Sequence, residues 1–184
     1  MPRTFPGTTI EVTCLKKDAS RLLFDGIFAT GGITLSQVCI MTDLEPYMVQ
    51  NWIKRGFVSS PKKRVYSREQ LARILIINML RESLQIEKIC GLIQVIDGNP
   101  STPDDDFIGS CELYHKYVDL LATEDLNLFD RTSVLRATEA AAEDFPEREA
   151  GARKKLSQIL STMLYAHSAA GLKTLAEESL SLLQ

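Results

Sequence analysis

The sequence predicts a mainly α-helical protein: a helix-turn-helix block that carries a small β-ribbon, followed by an all-α C-terminal region. Three observations carry that prediction. Two capping boxes, Thr34 with Gln37 and Ser67 with Gln70, each stand in front of apolar residues at helical spacing. Glycine and proline at Gly31-Gly32, Pro46, Gly56 and Pro61 cut the chain into pieces of helix length. The sign of the charge also changes along the chain: residues 33–96 hold nine basic side chains against five acidic, residues 97–184 eight against sixteen.

Taken in order, residues 1–32 read as an N-terminal arm with one short helix around Ala19 to Phe28. The next helix opens at the Thr34 cap and runs from Leu35 to about Thr42, with Leu35 and Val38 turned inward. After a turn at Asp43-Leu44, Pro46 suits the first position of a second helix, which continues through Trp52 to Arg55 and is stopped by Gly56. Two short helices joined by so tight a turn have helix-turn-helix spacing. From Phe57 to Tyr66, β-formers flank a polar turn centred on Pro61, the pattern of a small β-ribbon wing. The Ser67 cap launches a helix through Leu84, apolar around most of its circumference and therefore expected to be central. A further helix, Ile86 to Ile96, ends the block.

Residues 98–110, with Pro100, Pro103 and three consecutive aspartates at 104–106, read as an acidic linker between a domain at 33–97 and a helical region at 111–184. Beyond it the spacing predicts helices over Cys111 to Ala122, Ser133 to Asp144 and Pro146 to Leu183, the last interruptible at Gly151 and Gly171. Its apolar stripe, including Leu156, Leu160, Leu172, Leu175 and Leu183, suits packing within the chain or a homodimer through the C-terminal helices.

A length of 184 residues with 45% hydrophobic and 24% charged side chains excludes disordered and fibrous classes. The apolar runs at 74–77 and 92–96 fall far short of the roughly 20 residues a membrane span needs, and the N-terminus lacks the layout of a signal peptide, so a cytoplasmic protein is expected. Cys14, Cys39, Cys90 and Cys111 form no CxxC pair, and His115 and His167 stand apart from them, so neither zinc nor disulfides are signalled. There is no glycine-rich phosphate loop, GxSxG or HExxH from which to build an enzyme, and no cofactor is expected. What remains is a basic patch: six of the nine positive charges of the middle block lie between Lys54 and Arg68, the footprint of phosphate contact.

The segments ITLSQVCIMTDLEPYMVQNWIKRGFV, RVYSREQLARI and LQIEKICGLI resemble the winged helix-turn-helix domain of the MerR family. The chain as a whole, with LARILIINMLR and STMLYAH, also resembles an uncharacterised family of low-GC Gram-positive bacteria, a domain of unknown function. The MerR resemblance implies a regulator of transcription that binds double-stranded DNA as a dimer, its second helix in the major groove. Tyr47, Gln50, Asn51, Lys54 and Arg55 would then face DNA while Val49 and Trp52 face the core. Gln50 and Asn51 can each pair in two-pronged fashion with an adenine edge; Lys54, Arg55, Lys62, Lys63 and Arg64 suit phosphates. Tyr66 is a candidate for phosphate contact or for packing. Gln50 and Asn51 replace the arginine and aromatic usual in that family, and the metal-sensing cysteines have no counterpart. The alternative reading is a protein-interaction adaptor that keeps the shape without reading DNA.

Overall fold

The computed structural model describes residues 3–97 and 107–183. It begins with an antiparallel pair, β1 (Arg3–Thr4) and β2 (Glu11–Val12). Gly7 turns the chain between them at φ +74°, and a Cβ there would stand 2.5 Å from the Leu75 carbonyl oxygen, so the position demands glycine. This hairpin is a strap rather than a loose arm. Phe5 and Pro6 are buried, the Thr9 N–H donates to the Met41 carbonyl at 2.8 Å, and the Tyr114 hydroxyl donates to the Pro6 carbonyl at 2.8 Å.

Among the described residues eight helices follow: α1 (Ala19–Ile27), α2 (Leu35–Thr42), α3 (Pro46–Lys54), α4 (Arg68–Leu80), α5 (Ile86–Asp97), α6 (Ser110–Leu121), α7 (Arg131–Ala142) and α8 (Ala152–Ser181). Both expected capping boxes are formed, at Thr34 and at Ser67. Helix α4 stops at Leu80, and Arg81 to Leu84 continue only as turns. As its all-round apolar surface requires, α4 is central: from Leu71 to Leu80 every residue but Arg73 is buried. The buried Asn78 is fully used. Its amide nitrogen donates to the Gly7 carbonyl at 2.9 Å and the Thr42 carbonyl at 3.0 Å, and its oxygen accepts from Arg81 at 2.7 Å. One side chain thereby joins the N-terminal strap, the end of α2 and α4.

The exception on α4, Arg73, works as a buckle. Its guanidinium grips both carboxylate oxygens of Asp97 at the end of α5, and its Nε donates to Ser110 at the start of α6, 2.7 Å away. The Phe107 N–H also donates to the Ile96 carbonyl at 2.9 Å, so the chain returns after residues 98–106 to the place it left. The expected acidic linker lies outside the described residues except for 107–110, of which Ile108 and Ser110 are buried. One continuous core then runs from Phe24 and Val49 through α4 to Tyr114, Tyr117, Leu160 and Met163.

The β-ribbon wing expected over Phe57–Tyr66 does not form, and this corrects the predicted fold class: the molecule is mainly α, with β1–β2 its two-stranded sheet among the described residues. Residues 57–61 are irregular, and only two isolated bridges occur nearby, Lys62 with Val65 and Ile33 with Tyr66. The physical reason lies in the first arm. Pro61 has no N–H to give, Val58 is buried, and Gln70 draws off the Ser59 carbonyl (2.8 Å) and hydroxyl (3.2 Å). The turn is accordingly centred on Lys63-Arg64, not on Pro61.

Helix α8 begins after Gly151, which takes φ +85° as its N-cap, and passes Gly171 without a break. Leu156, Ile159, Leu160, Met163 and Leu164 are buried, with Thr138 of α7 hydrogen-bonded to Ser157 and Ser161. From Leu172 onward the stripe is bare: Leu172, Leu175, Leu180, Leu182 and Leu183 are all exposed. Among the described residues no helix is long and apolar enough to cross a membrane.

Candidate nucleic-acid interface

Why α3 presents the face it does follows from its capping and its two core anchors. Helix α2 ends on Asp43 in the left-handed conformation at φ 54°, a geometry aspartate tolerates better than most residues. Leu44 plugs into the core and Glu45 is extended, so Pro46, with φ preset and no N–H to satisfy, starts α3. Val49 and Trp52, three residues apart, are buried and fix the roll of the helix. The roll turns Tyr47, Gln50, Asn51, Lys54 and Arg55 outward, each of them exposed. Tyr47 is 68% exposed, a large aromatic left in water.

Next to α3 in sequence stands the basic turn. Lys62, Lys63 and Arg64 are exposed, and Lys63 and Arg64 both take positive φ, 52° and 63°. Two successive positive values define a turn that ordinarily selects Asn-Gly. Two long basic side chains there carry backbone strain, of the kind that persists where the surrounding structure overrides it. Here that structure is the Ile33–Tyr66 bridge, made by N–H···O bonds of 3.1 and 2.7 Å. Ile33 precedes the α2 cap and Tyr66 precedes the α4 cap, so one bridge sets the start of both helices. Gly32 permits the approach, since a Cβ on it would stand 2.0 Å from Val65 Cγ1.

Tyr66 is only 3% exposed, and burial raises its phenol pKa above the ordinary value, with Cys39 adding to the shift. It is a packing residue, not part of the exposed face. Arg68, counted from sequence with the basic cluster, is likewise engaged: it pairs with Asp25 at 2.7 Å and lies over the Phe28 ring. Lys54, Arg55, Lys62, Lys63 and Arg64 are different. Among the described residues, none of these five cations has an ion-pair partner, whereas Arg21, Arg73, Arg81, Lys116, Arg153, Lys155 and Lys173 all do. The guanidinium of Arg55 rests over the Phe57 ring at 4.7 Å, which orients it without neutralising it. That support was visible only as an aromatic two residues downstream.

The arrangement offers an exposed helix with two side-chain amides and two cations at its end, followed in sequence by a strained basic turn. Among the described residues no group of histidine, cysteine or carboxylate side chains is placed to hold a metal ion. Cys111 is protected: burial, then the charge and hydrogen bond of Glu69, push its thiol up to about 12.

Residues 30–117 match a family described as Domain of unknown function (DUF1836). The match spans α2 to α5 and most of α6, and so takes in all five of these cations. No curated protein and no solved structure matches the chain.

Proposed function

We propose that this protein is a helix-turn-helix DNA-binding regulator that presents α3 to the major groove and the Lys62–Arg64 turn to the phosphates. The observation that carries the reading is the set of five exposed cations, close together in sequence, with no acid to neutralise any of them among the described residues, inside a chain of net charge −3 in which eight other cations are paired. Exposed and unpaired positive charge is what counterion release requires. The resemblance of residues 33–93 to the DNA-binding segment of MerR proteins supports the same assignment. Gln50 and Asn51 would read bases, while Tyr47 would flank them; Lys54, Arg55, Lys62, Lys63 and Arg64 would set register. A cytoplasmic location belongs to this reading.

A dimer is proposed with it. The end of α8 exposes Leu172 and Leu175 along one side, with Lys173 and Glu177 on its flank and the exposed Leu182 and Leu183 just beyond its end, a face that a second copy can cover. The test is retention of genomic DNA fragments on the purified protein across a salt series, with the retained pool sequenced. Enrichment of a two-fold motif with affinity falling steeply in salt is the expected result; no retention at low salt overturns it and leaves the protein-adaptor reading.

A further inference from the structure

Apart from the exposed cations, the feature that most resembles a prepared site is a cavity of about 920 Å³ walled in part by the N-terminal strap. That is the size of a small-molecule pocket. Its walls come from three places in the chain: the strap and the stretch 14–17 before α1, the α6–α7 connection, and His167 of α8. Leu15, Leu121, Leu126 and Leu128 supply an apolar surface. Lys16 and Lys17, both exposed, share the lining with Glu124, so it carries one net positive charge.

These polar groups are unspent. Among the described residues neither lysine has an ion-pair partner, and the His167 ring, which touches Tyr117 edge-on, has no hydrogen-bond partner. The contrast with the adjoining cavity of about 590 Å³, which shares Lys17, is instructive. There Arg21 is held by Asp18 and Asp119, and Lys116 by Asp144 and the Ala141 carbonyl, so two of its three cations are already neutralised and Lys17 alone is not. The larger cavity joins four leucines to two lysines that are both without an ion pair among the described residues.

We infer that this cavity binds a small apolar monocarboxylate, its carboxylate on Lys16 and Lys17, its hydrocarbon body over the four leucines, and the His167 ring within reach as a polar contact. A monoanion matches the single net charge, and a purely apolar ligand would leave both lysines unused. The site also has a route to the rest of the molecule. Pro6, in its wall, belongs to the strap whose Thr9 is bonded to the end of α2. The inference does not depend on DNA binding and stands or falls by ligand binding alone.

Calorimetry with three probes of equal chain length tests it: octanoate, 1-octanol and octylammonium, each titrated into the full-length protein. Octanoate is expected to bind most tightly. In a variant carrying Lys16→Ala and Lys17→Ala, both surface positions, its affinity should fall about tenfold or more, the effect of losing a charge-assisted contact, while 1-octanol is unchanged. Hydrogen exchange should show octanoate protecting residues 14–17 and 121–128. No binding of octanoate, equal binding of all three probes, an unaltered octanoate affinity in the double variant, or protection confined to the exposed leucines of α8 would each overturn the proposal.

Discussion

Two sets of cations divide the molecule. Arg73 and Lys116 are nearly buried, and each is consumed by the structure, the first gripping Asp97 and Ser110, the second Asp144 and the Ala141 carbonyl. The five from Lys54 to Arg64 are exposed and make no ion pair among the described residues. The first set spends its charge inside the chain, where removal of a partner leaves an ion buried and uncompensated. The second leaves its charge in solvent, where nothing among the described residues neutralises it. The difference teaches where function is separable from stability: a charge that holds nothing in the fold can be reversed without unfolding it.

The largest expected effect tests that separation directly. Arg55→Glu with Arg64→Glu should weaken DNA binding by about two orders of magnitude or more at physiological salt and flatten its salt dependence, with stability changed by less than about 0.5 kcal/mol. Gel-shift titration beside chemical denaturation checks both halves; a variant that unfolds, or binds as before, breaks the comparison.

Arg73→Ala should do the reverse. It strands Asp97 and loosens the join between α5 and α6, costing about 2 kcal/mol, toward the low side for a buried pair because Asp97 is about a third exposed. Binding measured well below the unfolding transition should stay within about twofold.

A subtler change sharpens the contrast at one spot. Replacing Lys63 by asparagine and Arg64 by glycine gives the left-handed turn the residues it prefers, which should raise stability by about 1 kcal/mol while lowering DNA affinity roughly tenfold. Thermal melts and binding titrations on the same preparation would reveal the opposed signs. Loss of stability would mean that the turn carries no strain.

The smallest effect concerns the histidines. Burial lowers the pKa of His115, with Arg21 adding to the shift, and burial alone lowers that of His167, both from an ordinary 6.5. A depressed folded-state value means the unfolded chain takes up the proton first, so this contribution to stability is complete above 6.5 and declines as pH falls below it. Melting temperature should therefore drop modestly between about pH 7 and pH 5. Replacing His115 with glutamine, which keeps a polar partner for Ser20, together with His167→Gln should shrink that drop. Asp144, held below the usual carboxylate range chiefly by its hydrogen bond from Lys116, adds a further loss only at lower pH.

Much of the helical order was legible because its signals are local. Thr34 with Gln37 and Ser67 with Gln70 mark the starts of α2 and α4 by a reciprocal hydrogen-bond pattern three residues long, and Pro46 marks α3 in the same way. The outward face of α3 was legible too, since burying Val49 and Trp52 leaves Gln50, Asn51 and Lys54 no other side. The wing was misread because β-formers on both sides of a turn say nothing about whether each arm's hydrogen bonds are free. Gln70, eleven residues from Ser59, had already claimed one of them. The N-terminal strap was missed for a related reason: strands of two residues have no periodicity to detect.

By itself, then, the sequence determined what is set within a turn or two of chain: the helices, their caps, the sign of charge along the middle block and the exposed amides of α3. Tertiary structure alone decided what depends on meetings between distant residues. It consumed Arg68 on Asp25, buried Tyr66 against the core, closed Arg73 across residues 98–106 and left the end of α8 bare. The physical reason is one of range. A cap or an amphipathic stripe is fixed by neighbours a few bonds away, while the availability of a charge or a cavity depends on which groups from elsewhere in the chain arrive beside it.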